Sequence, residues 1–207
     1  VGAGAREAKA RNPNAVIPLA ALLRTALGKK DEATVRSLVE ELLLPGDDDL
    51  ALWQLEALSE IEQVLQRRGR SLRQVVNNDK IRTQLLNAAH KTLLDEDRPA
   101  GLRSAALRLL GSDPEFRREQ TGVLLSLLAP QTPLDLQQAA LSVIDAHRND
   151  EVAKAVLAQW KLFGPLTRDR LVGVMLRRPP ATRALLAAVE SGTVDPLDIN
   201  ATYRQQL

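Results

Sequence analysis

Three stretches of this chain can be laid over one another. Residues 98–111 read RPAGLRSAALRLLG, residues 133–146 read PLDLQQAALSVIDA, and residues 166–179 read LTRDRLVGVMLRRP. In the overlay Arg103, Gln137 and Arg170 coincide, 34 and then 33 residues apart. Behind them come Ala105/Ala139/Val172, Ala106/Ala140/Gly173, Leu107/Leu141/Val174 and Leu109/Val143/Leu176. Each stretch is followed by a second apolar run, with Leu127–Leu128, Val156–Leu157 and Leu185–Leu186 in similar phase. A helix pair recurring at this period cannot bury its apolar face alone and must stack on its neighbours. The expected fold is therefore all-α, an α-α superhelix of HEAT or armadillo type. The small residue at Ala106, Ala140 and Gly173 would let neighbouring helices approach closely. Where Leu102 and Leu136 stand, the third copy has Asp169, so that copy is imperfect.

Composition agrees with helix-on-helix packing. Hydrophobic residues make up 44% of the 207, yet aromatics only 2%, so Leu and Ala must fill the interior. The five aromatics are Trp53, Trp160, Phe116, Phe163 and Tyr203. Both tryptophans fall on the apolar phase of their helices and are expected to be buried. The 28 Lys+Arg and 26 Asp+Glu leave a formal charge of +2, spread without a basic stripe. That pattern argues against nucleic-acid binding through phosphates. With no cysteine, thiolate metal sites, Cys nucleophiles and covalent haem attachment are excluded within these residues. No apolar run reaches the roughly 20 residues needed to span a bilayer.

Prolines punctuate the chain at Pro114, Pro130, Pro133, Pro165, Pro179–Pro180 and Pro196, each near an expected helix boundary. Helices are expected over residues 15–27, 31–44, 48–67, 80–94, 114–128 and 150–161, besides those of the repeat. Residues 1–207 read as one helical-repeat domain. The chain starts at Val1 and stops at Leu207 within a helical pattern. It is therefore expected to be a piece of a longer protein, with residues 195–207 fraying or dimerising for want of a polar cap.

Chemistry is hard to assemble from these residues. His90 and His147 are the two histidines; His90 has no second His or carboxylate at i+4, and His147 follows a helix end near Arg148 and Asp150, where it is expected to meet helix C-terminal carbonyls. Asp47–Asp48–Asp49 reads as an N-cap and first turn rather than a cation site. Gly2 and Gly4 lack the preceding strand that a dinucleotide loop requires. Arg36, Arg103 and Arg170 share one frame position. They could form a guanidinium ladder open to phosphate or an acidic partner, but bonding to acidic side chains or helix ends of adjacent units is the better reading. No catalytic, cofactor-binding or metal-ligating residue emerges.

The run AVLAQWKLFGPLTRDRLVGVMLRRPPATRALLAAVESGTVDPLDINATYRQQL at 155–207 resembles the HEAT-repeat region of planctomycete-type proteins named membrane-bound dehydrogenases. Trp160, Pro165 and Arg170, the helix RRPPATRALLAAVESG and the closing RQQL carry the resemblance, and Leu50–Val76, with LWQLEALSEIEQVLQRRGRSLRQV, is similar to that family's middle. The resemblance implies a parent that joins a β-propeller, a HEAT segment and a c-type haem domain with a CxxCH motif. It would place that parent in the periplasm or at the membrane. The haem would sit elsewhere, leaving this segment without a cofactor. The expected function is a non-catalytic scaffold or protein-interaction module linking domains of an exported redox-type protein. An enzymatic rival is a HEAT-type alkylpurine DNA glycosylase, against which the near-neutral charge and the few aromatics weigh.

Overall fold

The computed structural model describes residues 33, 36, 37, 39, 52–67, 71–76, 79–146 and 150–205. Among them every regular element is helical, as the repeat implies. The chain groups into two compact units, residues 1–112 and 113–207, where the sequence suggests a single repeat domain. The helices expected at 15–27 and 31–44 fall outside the described residues, apart from helical positions 33, 36, 37 and 39. Asp47–Asp49, Gly2, Gly4, His147 and the side chain of Trp53 also lie outside them.

In the first unit, α1 spans Leu52–Gln66, α2 Leu72–Val75, α3 Asp79–Leu94 and α4 Ala100–Leu110. Helix α4 packs on both α1 and α3. It is buried almost all round, with Leu102, Ser104, Ala105, Ala106, Leu107, Leu109 and Leu110 inside. A helix apolar on every side has to lie between neighbours. Its Ala105–Ala106 pair keeps that helix slim enough for α1 to come close, and the buried Ser59 hydroxyl of α1 donates to the Ala105 carbonyl at 3.2 Å. Leu55, Leu58, Ile61 and Leu65 form the apolar stripe of α1. Burying each such side chain contributes about 1.5–3 kcal/mol. Glu62, also buried, accepts the Leu72 amide at 2.6 Å and so satisfies a free N–H at the start of α2.

The second unit holds α5 Pro114–Glu119, α6 Thr121–Ser126, α7 Leu134–Ala146, α8 Asp150–Ala158, α9 Pro165–Leu176, α10 Pro179–Glu190 and α11 Ala201–Arg204. Two 3-10 turns, Trp160–Leu162 and Pro196–Asp198, complete it. Helix α7 packs on α6 and α9, while α8 packs on α6 and α10, and α9 on α10. The helices thus alternate between two rows, α7 and α9 in one and α6, α8 and α10 in the other. The single helix expected at 114–128 is broken at Gln120, whose φ of −103° and ψ of 24° leave the helical region. Asp113 caps the first piece by accepting the Glu115 amide at 2.7 Å, ahead of Pro114. The helix expected at 150–161 likewise ends at Ala158 and tightens into the 3-10 turn that carries Trp160.

Trp160 is 1% exposed, as its apolar phase implies. Replacing it with Ala is expected to lower the unfolding free energy by roughly 3–5 kcal/mol, the range for large-to-small changes in a core. Urea denaturation followed by circular dichroism would check the value. A loss under about 1 kcal/mol would mean that the indole adds little to the core.

Candidate functional site

The aligned polar position of the repeat has a definite job. Arg103, Gln137 and Arg168 each stand four residues after the one preceding their helix, and their amides bond the carbonyls of Pro99, Pro133 and Gly164 at 3.1, 3.0 and 2.9 Å. Their side chains all turn back to carbonyls at the end of the preceding element or in the turn that follows it. Arg103 Nε donates to the Leu93 carbonyl at 2.9 Å. Gln137 Nε2 donates to the carbonyls of Ala129 and Thr132 at 3.1 and 2.8 Å. Arg168 Nε donates to the Trp160 carbonyl at 3.1 Å. Thr182 holds the same place in α10, and its hydroxyl donates to the Met175 carbonyl at 3.1 Å. The Trp160, Met175 and Ala129 carbonyls also accept the Phe163, Arg178 and Thr132 amides at 3.2, 3.2 and 3.0 Å, so the side chains occupy a second lone pair and tie each helix to what precedes it.

This geometry corrects the sequence overlay. The third copy is displaced by two residues, so Arg168, not Arg170, is the counterpart of Arg103 and Gln137. In the corrected register Leu102, Leu136 and Thr167 coincide and are all buried, as are Ala106, Ala140 and Leu171, then Leu107, Leu141 and Val172. The imperfection at Asp169 disappears. The hydrophobic pattern alone did not resolve the slip, because Leu171, Val172, Val174 and Leu176 offer two plausible phases.

Arg36 does not share the direction of the others, since its Nε donates to the later Val75 carbonyl at 3.2 Å. His90 is half-buried on α3. Among the described residues no cluster of three or more His, Cys, Asp or Glu could hold a metal ion.

Arg168 does more than its counterparts. Its Nη2 donates to the Lys161 carbonyl at 3.3 Å, and its Nη1 reaches both carboxylate oxygens of Asp198, at 3.0 and 3.1 Å. The indole Nε1 of Trp160 donates to the same carboxylate at 2.8 Å. One acidic side chain thus joins two donors separated from it by 30 and 38 residues. The ion pair is about a quarter exposed, with side-chain accessibilities of 21% and 24%. Sequence reasoning missed Asp198; the available signal was an Asp inside the cap-like run DPLDIN.

The same segment is fastened at two further points. Asn200 Nδ2 donates to Asp169 Oδ1, while Asn200 Oδ1 accepts the Tyr203 amide at 2.9 Å and caps α11. The Tyr203 ring then lies against Gly173, where an added Cβ would stand 2.6 Å from its hydroxyl oxygen. Gly173 therefore does allow a close approach, but by a tyrosine rather than by a neighbouring long helix. Val194 and Ile199 are buried, adding apolar contact to the bonds made by Asp198 and Asn200.

The chain matches no family model, no curated protein and no solved structure.

Gly173→Ala is expected to separate local from global effects. Alanine favours the helix by about 1 kcal/mol, which offsets the loss of the tyrosine contact. The phenol is the free end of a flexible side chain, so it should swing away while α9 keeps its shape. Hydrogen exchange should show about tenfold less protection at 200–205, with global unfolding moved by less than about 1 kcal/mol. Unchanged protection there would mean that the tyrosine does not hold the segment.

Proposed function

We propose that this chain is a non-catalytic α-solenoid of HEAT or armadillo type, which positions neighbouring domains or binds a protein partner. What supports the reading is the recurring joint: in four helices the side chain four places past the cap is tied to the preceding element or to the turn that follows it. A joint of this kind makes each helix pair depend on its neighbour, as stacked repeats require. The alternation of α6 to α10 between two rows supports the same reading. The polar side chains of these joints are committed to main-chain carbonyls, a structural use rather than a catalytic one.

The resemblance to the HEAT region of planctomycete-type membrane-bound dehydrogenases extends the proposal to a parent protein. In that setting the segment spaces a β-propeller from a c-type haem domain outside the cytoplasm, and any redox chemistry belongs to those domains. Among the described residues no helix is long and apolar enough to cross a membrane.

Fluorescence anisotropy with labelled duplex DNA, at low and high salt, tests the scaffold reading against a glycosylase-like enzyme. Weak binding at both salt concentrations is expected, because the 28 Lys+Arg are interspersed with 26 Asp+Glu and form no stripe that could neutralise a row of phosphates. Tight binding that falls steeply with salt would overturn the scaffold reading.

A further inference from the structure

We propose that the strap formed by residues 194–205 is exchangeable between two copies of this chain, the Asp198 carboxylate of one seating on the Arg168 guanidinium and Trp160 indole of the other. The inference stands apart from the scaffold reading, since it concerns only α9, the turn at Trp160 and the strap.

The seat has bonds of its own besides those to the strap. Arg168 is fixed by bonds from Nε to the Trp160 carbonyl and from Nη2 to the Lys161 carbonyl. Those bonds leave Nη1 and the buried indole N–H converging on one carboxylate position. Two charge-assisted donors from a rigid frame make a carboxylate receptor. The strap, for its part, carries its own local order. Asp195 caps its 3-10 turn through the Leu197 amide at 2.8 Å, and Asn200 caps α11. Its hold on α9 rests on Asp198, Asn200 and Tyr203, with only Val194 and Ile199 buried. An identical strap from a second copy would make every one of these contacts.

The link between α10 and the strap is suited to opening. Ser191, Gly192 and Thr193 are all exposed. Gly192 has φ +74°, in the left-handed region, and is the one positive-φ glycine among the described residues. The turn is closed by bonds from Gly192 N to Val189 O and from Val194 N to Ala188 O, both 3.1 Å. Exchange breaks that turn and preserves the seat, which is the energetics of an element swapped between protomers. Leu162, Leu166 and Leu197, exposed at 65%, 59% and 81%, lie on the elements that build the seat and give two approaching copies apolar surface to cover. Attachment within one chain keeps the strap at a high effective concentration, so exchange is favoured by concentrated protein or a strained link.

Sedimentation of charge-reversed full chains tests the proposal. Arg168→Asp and Asp198→Arg each place like charges face to face within one chain, and each alone should sediment as a monomer. Mixed in equal amounts they restore two opposite pairs only by exchange, and the mixture should sediment as a dimer. The double variant Arg168→Asp/Asp198→Arg reports whether the reversed pair folds within one chain. A mixture that stays monomeric beside a folded double variant overturns the proposal. In the otherwise unaltered chain, Gly192→Val penalises the closed turn and should raise the dimer fraction about tenfold at fixed concentration. This second variant keeps the test decisive if either charge reversal fails to fold, and an unchanged dimer fraction would likewise overturn the proposal.

Discussion

A helix that ends against other helices leaves carbonyl lone pairs that its own backbone does not fill. Leaving such a group buried and unpaired costs about 1–3 kcal/mol, more than a typical hydrogen bond contributes. In four of the described helices a side chain placed four residues past the cap reaches back across the connection. Arg103, Gln137, Arg168 and Thr182 all do this, with three different functional groups. Because each of them serves the end of the element before it, a helix gains this support only when its neighbour is in register. The cations gain further from the negative end of the helix dipole. At the end of α7 the same demand is met by Arg178, which donates to the Asp145 carbonyl, while the neighbouring Arg177 pairs with the Asp145 carboxylate.

Arg168 shows how a packing joint acquires a second role. A guanidinium has five donors in a fixed fork, and two carbonyls engage only part of it. Asp198 takes the remaining edge and brings in the indole of Trp160. The core of the second unit, its repeat joint and its final segment therefore meet at one carboxylate. Gln137 at the equivalent place in α7 has no such capacity: its amide nitrogen serves two carbonyls, and its oxygen lies 3.4 Å from the Thr167 hydroxyl on α9.

Much of the fold was legible because leucine and alanine recur at helical spacing and proline marks the boundaries. The burial of Trp160 and the all-helical class follow from that pattern. The slip of the third copy was not legible, since apolar residues at 171, 172, 174 and 176 fit either phase and only the carbonyl bonds fix which arginine belongs to the joint. The break at Gln120 was equally hidden, there being no proline or glycine at that residue to announce it. The ties of Asp198, Asn200 and Tyr203 depend on partners about 30 or more residues away, beyond the reach of periodicity.

The two arginines of the third copy offer the most direct test of the register and of the joint itself. Equilibrium urea unfolding of Arg168→Ala and Arg170→Ala places them on one scale. The carbonyl joint requires Arg168→Ala to cost about 2–3 kcal/mol, since it removes the charge-assisted pair with Asp198 together with two bonds to carbonyls. Arg170→Ala should lie within about 0.5 kcal/mol of the unaltered chain, as surface changes usually do. Equal costs, or a larger cost at Arg170, would contradict the register and remove the joint from the account of why these helices stack.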